Sequence, residues 1–179
     1  MARNASTIDY REDYYHGVAK IYFIAVLEEL IKMGNLRQCQ GVILDYGCGV
    51  GNLKKLLPGK NVVGYDIIPE LTDVKDFREV RAEKIVLSGV LEHLYLPEID
   101  TLVQELLSLN PRAELLVFLP TENIISKIGM MMTGSTNAHD DHVSKYKAIN
   151  EVIERHYKLA ERKYIYFRMA QLSRYVPKS

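Results

Sequence analysis

Three glycines that alternate between a predicted strand and a predicted helix are the residues best suited to bind a ligand. Gly47, Gly49 and Gly51 follow an apolar run, residues 42–44, and Asp45 lies between that run and the glycines. Glycines at this point permit a tight turn, let a ligand approach the bare backbone and let the helix pack close to the strand. The start of the helix also offers free N–H groups. The pattern therefore predicts a ligand-binding loop after the first strand.

A second acidic residue lies near the end of the next predicted strand, residues 61–67. Asp66 stands there as Asp45 stands at the end of the first strand. A carboxylate in this position can bind the two hydroxyl groups of a ribose. The glycine spacing differs from the Gly-x-Gly-x-x-Gly pattern of dinucleotide-binding proteins, which also lacks the leading aspartate. The two motifs together predict a ribose-containing ligand between the two strand ends.

Three side chains near this predicted site could accept a proton. Glu92 and His93 follow the predicted strand 84–88, and His142 follows the irregular stretch 121–141. A positioned carboxylate or imidazole can act as a general base, and histidine titrates near neutral pH. The alternative for His93 is a structural role, in which it caps its own helix or pairs with a neighbouring group.

Three motifs in order make the sequence resemble the class I S-adenosylmethionine-dependent methyltransferases. They are residues 44–51, 64–66 and 90–94, and the resemblance extends over roughly residues 8–176. It implies that the protein binds S-adenosylmethionine and methylates an oxygen or nitrogen of a small or medium-sized acceptor, such as a sugar, a lipid head group or a metabolite. The alternative is a non-catalytic cofactor-binding domain with the same fold.

The resemblance also implies which residues contact the cofactor. Asp45 and the glycines would hold its methionine end, and Asp66 its ribose. For the adenine, Asp76 is the first candidate, with Phe77 as a stacking ring, and Asp73 is the second; the alternative is that both acids are solvated loop residues. The implied cofactor-binding set is Asp45, Gly47, Cys48, Gly49, Gly51, Asp66, Ile67, Asp76, Phe77 and Ser88.

A metal-assisted reaction is the alternative to simple base catalysis. O-methyltransferases of the quinone-biosynthesis type and small-RNA 2′-O-methyltransferases carry Glu-x-x-Glu-His at the third motif and bind a divalent ion with it. This sequence has Gly89 in place of the first glutamate, ahead of Glu92 and His93. Because one carboxylate is missing, we expect no metal site, with His142 as the preferred base; a weak site of Glu92, His93 and His142 is the alternative.

Composition predicts an ordinary globular protein with no overall field that would attract nucleic acid. The chain has 179 residues and a net charge of zero, with 47% hydrophobic residues. The charge is uneven, because residues 142–179 contain nine Lys or Arg against three acids. Solvated faces of helix and strands explain this excess, and an acidic or phosphate-bearing substrate is the alternative. No signal peptide, membrane span or cysteine framework is visible, which predicts a cytoplasmic monomer or homodimer.

The order of elements predicts one α/β domain, residues 1–179, with a Rossmann-like fold. Strands that alternate with helices indicate a mostly parallel sheet with helices on both faces. We expect seven strands, of which the third is short or doubtful, and a C-terminal antiparallel hairpin formed by strands 158–167 and 169–176. Residues 1–8 are expected to be loose, 9–33 helical, and 121–141 a lid over the substrate side, or else a surface helix.

Overall fold

Strands and helices alternate along the chain, and a computed structural model describes residues 17–121 and 143–178. The helices are α1 (Gly17–Met33), α2 (Asn52–Leu56), α3 (Leu96–Leu109) and α4 (Tyr146–His156). The strands are β1 (Ile43–Tyr46), β2 (Val62–Tyr65), β3 (Lys84–Ser88), β4 (Glu114–Pro120), β5 (Tyr157–Ile165) and β6 (Ala170–Pro177). The loose N-terminus, the first turns of the predicted helix 9–33 and all but the first residue of the predicted lid lie outside the described residues.

The strands form one mixed sheet in the order β2-β1-β3-β4-β6-β5. Strands β1 to β4 are parallel, and β6 pairs antiparallel with both β4 and β5. The predicted α/β architecture with a mostly parallel sheet is therefore confirmed. The carboxyl ends of β1 to β4 meet along one side of the sheet, which we call the carboxyl edge. Ligands of open α/β sheets bind at this edge.

Helices cover both faces of the sheet because the central strands are apolar on both sides. In β4, Leu115 and Val117 belong to one core and Leu116 and Phe118 to the other. The first core is completed by apolar residues of α3 and α4, and the second by those of α1. Continuous apolar runs of this kind are typical of strands buried between two helical layers.

The predicted third strand is absent from the described residues, where the sheet has six strands and not seven. Its predicted position instead contains a short 3₁₀ turn, Phe77–Glu79. The exposed edge of β2 is bonded by Asp73, whose amide donates to the Gly64 carbonyl at 2.8 Å. In return, the Gly64 amide donates to the Asp73 carboxylate at 2.7 Å. Asp73 thus makes hydrogen bonds that a neighbouring strand would make. The segment between β2 and β3 is too short to form that strand.

The turn between β5 and β6 lies at the carboxyl edge. Pro120 at the end of β4 pairs with Ala170 at the start of β6, and the Thr121 amide donates to the Met169 carbonyl at 2.9 Å. Residues 166–168 have φ values of 50, 53 and 67°, although none of them is glycine. Because a strand cannot continue through such angles, β5 ends at Ile165 and not at the predicted residue 167.

Candidate functional site

The glycine loop, residues 47–51, continues from β1 and is bound to the end of β2. The amides of Gly47 and Cys48 both donate to the Tyr65 carbonyl, at 2.7 and 3.1 Å. All three glycines have positive φ, which glycine adopts without steric cost. A Cβ on Gly47 would overlap Val90, whereas a Cβ on Gly49 or Gly51 would meet no atom of residues 17–121 or 143–178 within 4 Å. The loop is packed at its first glycine and open at the other two.

The Asp66 carboxylate joins the glycine loop to the segment after β2. Its Oδ2 accepts a hydrogen bond from the Gly49 amide at 2.9 Å, and its Oδ1 accepts one from the Ile68 amide at 3.0 Å. Ile67 between them is 87% exposed. Each carboxylate oxygen can accept a further hydrogen bond. Asp66 therefore fixes the loop and still has acceptor capacity for the hydroxyl groups of a ligand.

Asp45 is a buried carboxyl at the end of β1, only 4% exposed. Burial, followed by repulsion from the Asp66 and Asp73 carboxylates, raises the pKa of Asp45 to about 7. Asp66 accepts hydrogen bonds from two backbone amides and Asp73 pairs with Lys54 at 3.0 Å, so the cost of burial falls on the ionised form of Asp45. A cationic ligand group at this place would stabilise the ionised form of Asp45.

Cys48 points from the glycine loop toward β2. Its Sγ lies 3.4 Å from the Leu71 carbonyl oxygen, and a Cβ on Gly64 would overlap it. Burial, together with the nearby carboxylates, raises the pKa of the Cys48 thiol to about 12, so the thiol is protonated at neutral pH. Its side chain lines a cavity of about 550 Å³ that extends from the glycine loop to Leu71 and Asp73. Cys48 therefore packs beneath the loop and is no nucleophile.

Two buried side-chain oxygens at the carboxyl end of β3 lack a hydrogen-bond partner among the described residues. The Ser88 Oγ and the Glu92 Oε2 have no hydrogen bond from any residue in the described ranges, and the two residues are 9% and 5% exposed. Loss of hydration raises the pKa of Glu92 to about 8, so this carboxyl is mostly protonated at neutral pH. Buried groups without partners cost stability and are rare, which makes them candidates for ligand contacts.

The 3₁₀ turn Leu91–His93 and Leu94 after it form hydrogen bonds with residues 143–144. The Glu92 carbonyl accepts from the Val143 amide at 2.9 Å, and the Ser144 hydroxyl donates to the Leu94 carbonyl at 2.6 Å. The His93 side chain is exposed. His142, the preferred base, lies outside the described residues, but Val143, which follows it in sequence, is bonded to Glu92. The contact of residues 143–144 with the 3₁₀ turn was not predicted from the sequence, because its bonds are mostly made by the backbone and only Ser144 contributes a polar side chain.

Of the predicted adenine contacts, Asp76 and Phe77 do not line the cavity beside the glycine loop, whereas the second candidate, Asp73, does. Phe77 is 4% exposed, and its ring packs in the core against Tyr46 and Tyr65, with centroids 5.1 and 5.2 Å away. Asp76 accepts a hydrogen bond from the Arg78 amide at 3.0 Å and pairs with its guanidinium at 3.1 Å. The structure therefore does not support a stacking role for Phe77, because its ring is buried against two tyrosines of the core.

No three His, Cys, Asp or Glu side chains within residues 17–121 and 143–178 come together as a metal-binding group. Over this part of the chain, no helix has both the length and the apolar character needed to cross a membrane.

Comparison with known proteins relates the chain to others through its fold. No protein-family model matches the sequence, and no curated protein matches it. The PH0226 protein from Pyrococcus horikoshii OT3 has a similar structure, with a TM-score of 0.67 and 16% identity over 96% of this chain and 97% of that one. Magnesium protoporphyrin IX methyltransferase from Synechocystis PCC 6803, with bound S-adenosylhomocysteine, gives 0.61 and 18% over 89% and 83%.

The small RNA methyltransferase HEN1 is also similar, with a TM-score of 0.65 and 15% identity. The match covers all of this chain but only 27% of HEN1. At such low identity, these likenesses speak for the fold alone. With the sheet order and the glycine loop described above, they define the fold of the chain as that of the class I S-adenosylmethionine-dependent methyltransferases.

Glu92→Gln should stabilise the protein without ligand, increasingly as the pH rises from about 5 to 8. The folded-state pKa of Glu92, about 8, is above its ordinary value of 4.5. The folded protein therefore holds a proton that the unfolded chain releases, and the parent loses stability as pH rises through this window. Thermal melting of parent and variant at both pH values measures this. A variant that is less stable at pH 8, or whose advantage grows toward pH 5, contradicts a buried, unpaired carboxyl.

Proposed function

We propose that the protein is an S-adenosylmethionine-dependent methyltransferase that acts on an oxygen or nitrogen of a small or medium-sized acceptor. The observation that carries the proposal is the open side of the glycine loop, where Asp66 fixes the backbone at Gly49 and none of the described residues lies within 4 Å of the place that a Cβ would take. The loop lies at the carboxyl edge of a sheet with the class I methyltransferase order. In proteins of this architecture, the carboxyl edge is where nucleotides bind.

The residues around the loop fit the chemical groups of S-adenosylmethionine. Asp66 can accept hydrogen bonds from the two hydroxyl groups of the ribose, since each carboxylate oxygen has spare acceptor capacity. The methionine end carries a positive ammonium near a sulfonium, and Asp45 supplies a buried carboxyl for positive charge. Ser88 Oγ, without a partner among the described residues, is a donor or acceptor at the same edge. The adenine contacts are open, with exposed Ile67 as the remaining candidate from the predicted set.

Methyl transfer requires alignment of donor and acceptor and removal of a proton from the acceptor. The sulfonium of the bound cofactor supplies an already activated methyl group. The protein must hold the acceptor in line and receive its proton. Glu92, with a pKa of about 8, is mostly protonated at neutral pH and suits the role of hydrogen-bond donor better than that of base. This favours histidine as the base, with His142 preferred and the exposed His93 second.

A non-catalytic cofactor-binding domain is the second candidate function. Its supporting observation is Gly89, which stands where metal-dependent methyltransferases with the pattern Glu-x-x-Glu-His have a carboxylate. In that case the glycine loop would bind the cofactor without transfer of its methyl group. Cofactor affinity and turnover must therefore be measured separately.

Gly49→Val should abolish measurable cofactor binding or weaken it at least tenfold. The added side chain would project into the open space above the loop, and its strain at φ of 50° would disturb the bond to Asp66. Loss of one hydrogen bond to a charged group costs roughly 1.5–3 kcal/mol, and about 1.4 kcal/mol is a factor of ten. Isothermal titration calorimetry with S-adenosylmethionine and S-adenosylhomocysteine measures the affinity.

The matched control for this variant is Gly59→Val. Gly59 also has positive φ and open surroundings, but it lies in the turn between α2 and β2, away from the carboxyl edge. Similar strain should lower the melting temperature of both variants, whereas only Gly49→Val should lose affinity. Equal affinity of parent and Gly49→Val would place the cofactor elsewhere.

His142→Ala should slow methyl transfer by about 10²–10⁴-fold, the usual contribution of a general base. Cofactor affinity should change little, because His142 is not among the residues proposed to bind the cofactor. The substrate is found first, by incubating the parent with S-adenosylmethionine labelled at the methyl group and fractionated cell extract. Turnover of the labelled acceptor is then measured for His142→Ala and His93→Ala, with and without a chelator.

His156→Ala is the control histidine. It bonds Asp100 at 2.8 Å at the end of α4, on the side of the sheet opposite the carboxyl edge, and should keep full turnover. Full activity of both His142→Ala and His93→Ala would exclude histidine as the base. Loss of the parent's activity on chelation would instead favour a metal-assisted transfer, and absence of any labelled acceptor would favour the non-catalytic domain.

A further inference from the structure

The carboxyl group of Asp45 is buried at the end of β1 without a bonding partner. The residue is 4% exposed, and its side chain forms no hydrogen bond or ion pair with any residue in the described ranges. Asp66 and Asp73 differ from it, because each accepts a hydrogen bond from a backbone amide. A buried carboxylate without donors is costly. The described part of the protein therefore offers nothing that stabilises a negative charge on Asp45.

This carboxyl group lies at the wall of the cavity beside the glycine loop. The cavity measures about 550 Å³, and Gly49, Gly51 and Leu71 also line it. Since side chains alternate along a strand, Asp45 points to the same face of the sheet as Ile43, which packs in the core that contains α1. The open side of the glycine loop and the unpartnered carboxyl group thus face one cavity, which is large enough for a ligand.

The charged groups around Asp45 leave this cavity negative. The charged residues that line the cavity or act on Asp45 are Lys54, Lys55, Asp66, Glu70 and Asp73. Apart from Asp45 itself, these are two cations against three anions, and Lys54 is already paired with Asp73 at 3.0 Å. The covering helix and the neighbouring strands, residues 21–27, 62–65 and 85–88, contain no charged residue. A cationic ligand group therefore suits this cavity better than an anionic one.

The surroundings of Asp45 favour its protonated form while the cavity holds no cation. Burial, followed by repulsion from Asp66 and Asp73, raises the pKa of Asp45 to about 7, so about half of the molecules carry this proton at neutral pH. The Cys48 thiol beside it is protonated as well. A positive ligand group next to the carboxyl group would favour the ionised form and lower the pKa of Asp45 again.

We propose that a proton on Asp45 and the positively charged methionine end of the cofactor compete for the same place, so that cofactor binding releases the Asp45 proton to solvent. This inference rests on the proposed function, because the ammonium and sulfonium groups of S-adenosylmethionine supply the positive charge. The carboxyl O–H gives its proton to the buffer, and the resulting carboxylate pairs with the ligand. Acidification weakens cofactor binding for this reason, and the cofactor is bound most tightly once Asp45 is ionised.

Titration calorimetry with S-adenosylmethionine counts the released protons. The measurement is made at pH 6.5 in two buffers with different ionisation enthalpies, such as MES and ACES. The parent should release about 0.8 proton per bound cofactor, which is the protonated fraction of a group with a pKa of about 7. Its affinity should rise about fivefold from pH 6 to pH 7. An α-amino group has a pKa of about 7.7–8.0, so the ligand's own ammonium stays mostly charged in this range.

Asp45→Asn removes the titrating group and keeps the shape of the side chain. This variant should bind S-adenosylmethionine about tenfold more weakly than the parent at pH 7, because a charge-assisted contact is lost. It should release no proton and have equal affinity at pH 6 and pH 7. Asp100→Asn is the matched control. Asp100 lies in α3 and bonds His156 at 2.8 Å, so its loss should leave the proton release unchanged.

The possible outcomes separate this proposal from the proposed function. Cofactor binding by the parent without proton release overturns the proposal and leaves the proposed function intact, whether or not Asp45→Asn folds. Thermal melting checks the fold of both variants. Proton release by folded Asp45→Asn equal to that of the parent, or its loss in Asp100→Asn, also overturns the proposal. Absence of any binding of S-adenosylmethionine to the parent overturns both.

Discussion

The carboxylate of Asp66 determines the geometry of the glycine loop, on which the rest of the candidate site depends. Its two oxygens accept hydrogen bonds from the amides of Gly49, which follows β1, and Ile68, which follows β2. Because the loop is also bound to the Tyr65 carbonyl, it keeps its shape although none of the described residues covers its second and third glycines. The open backbone is thus a consequence of bonds made below it.

The same edge of the sheet bears the cost of two buried carboxyls, Asp45 and Glu92. Both have raised pKa values, chiefly because burial removes their hydration. Asp45 lies in β1 and Glu92 in the 3₁₀ turn that follows β3, and these two strands are neighbours in the sheet. We propose that a ligand crosses these strand ends, with positive charge near Asp45 and a polar group near Glu92. Without such a ligand, the two carboxyls only reduce the stability of the protein.

The alternation of strands and helices, the glycine loop and the acid after β2 could be predicted from the sequence, because each depends on local spacing. The prediction of a further strand between β2 and β3 was wrong, because Asp73 forms hydrogen bonds with the edge of β2 where that strand would pair. A single side chain that replaces a strand leaves no periodic pattern in the sequence. Phe77 was expected beside a ligand but lies in the core, because its partners Tyr46 and Tyr65 come from other strands. The contact of Ser144 with Leu94 joins residues 50 positions apart, which spacing cannot reveal.

Amide hydrogen exchange with and without S-adenosylhomocysteine tests most directly whether the glycine loop binds the cofactor. The account predicts slower exchange with ligand in peptides that contain residues 47–51 and 66–68, because these amides lie at the open loop and its Asp66 bonds. Peptides from the opposite side of the sheet, around Gly59 and Arg112, should exchange equally fast in both states. Unchanged exchange of the loop at saturating ligand, or protection confined to the opposite side, would contradict the account.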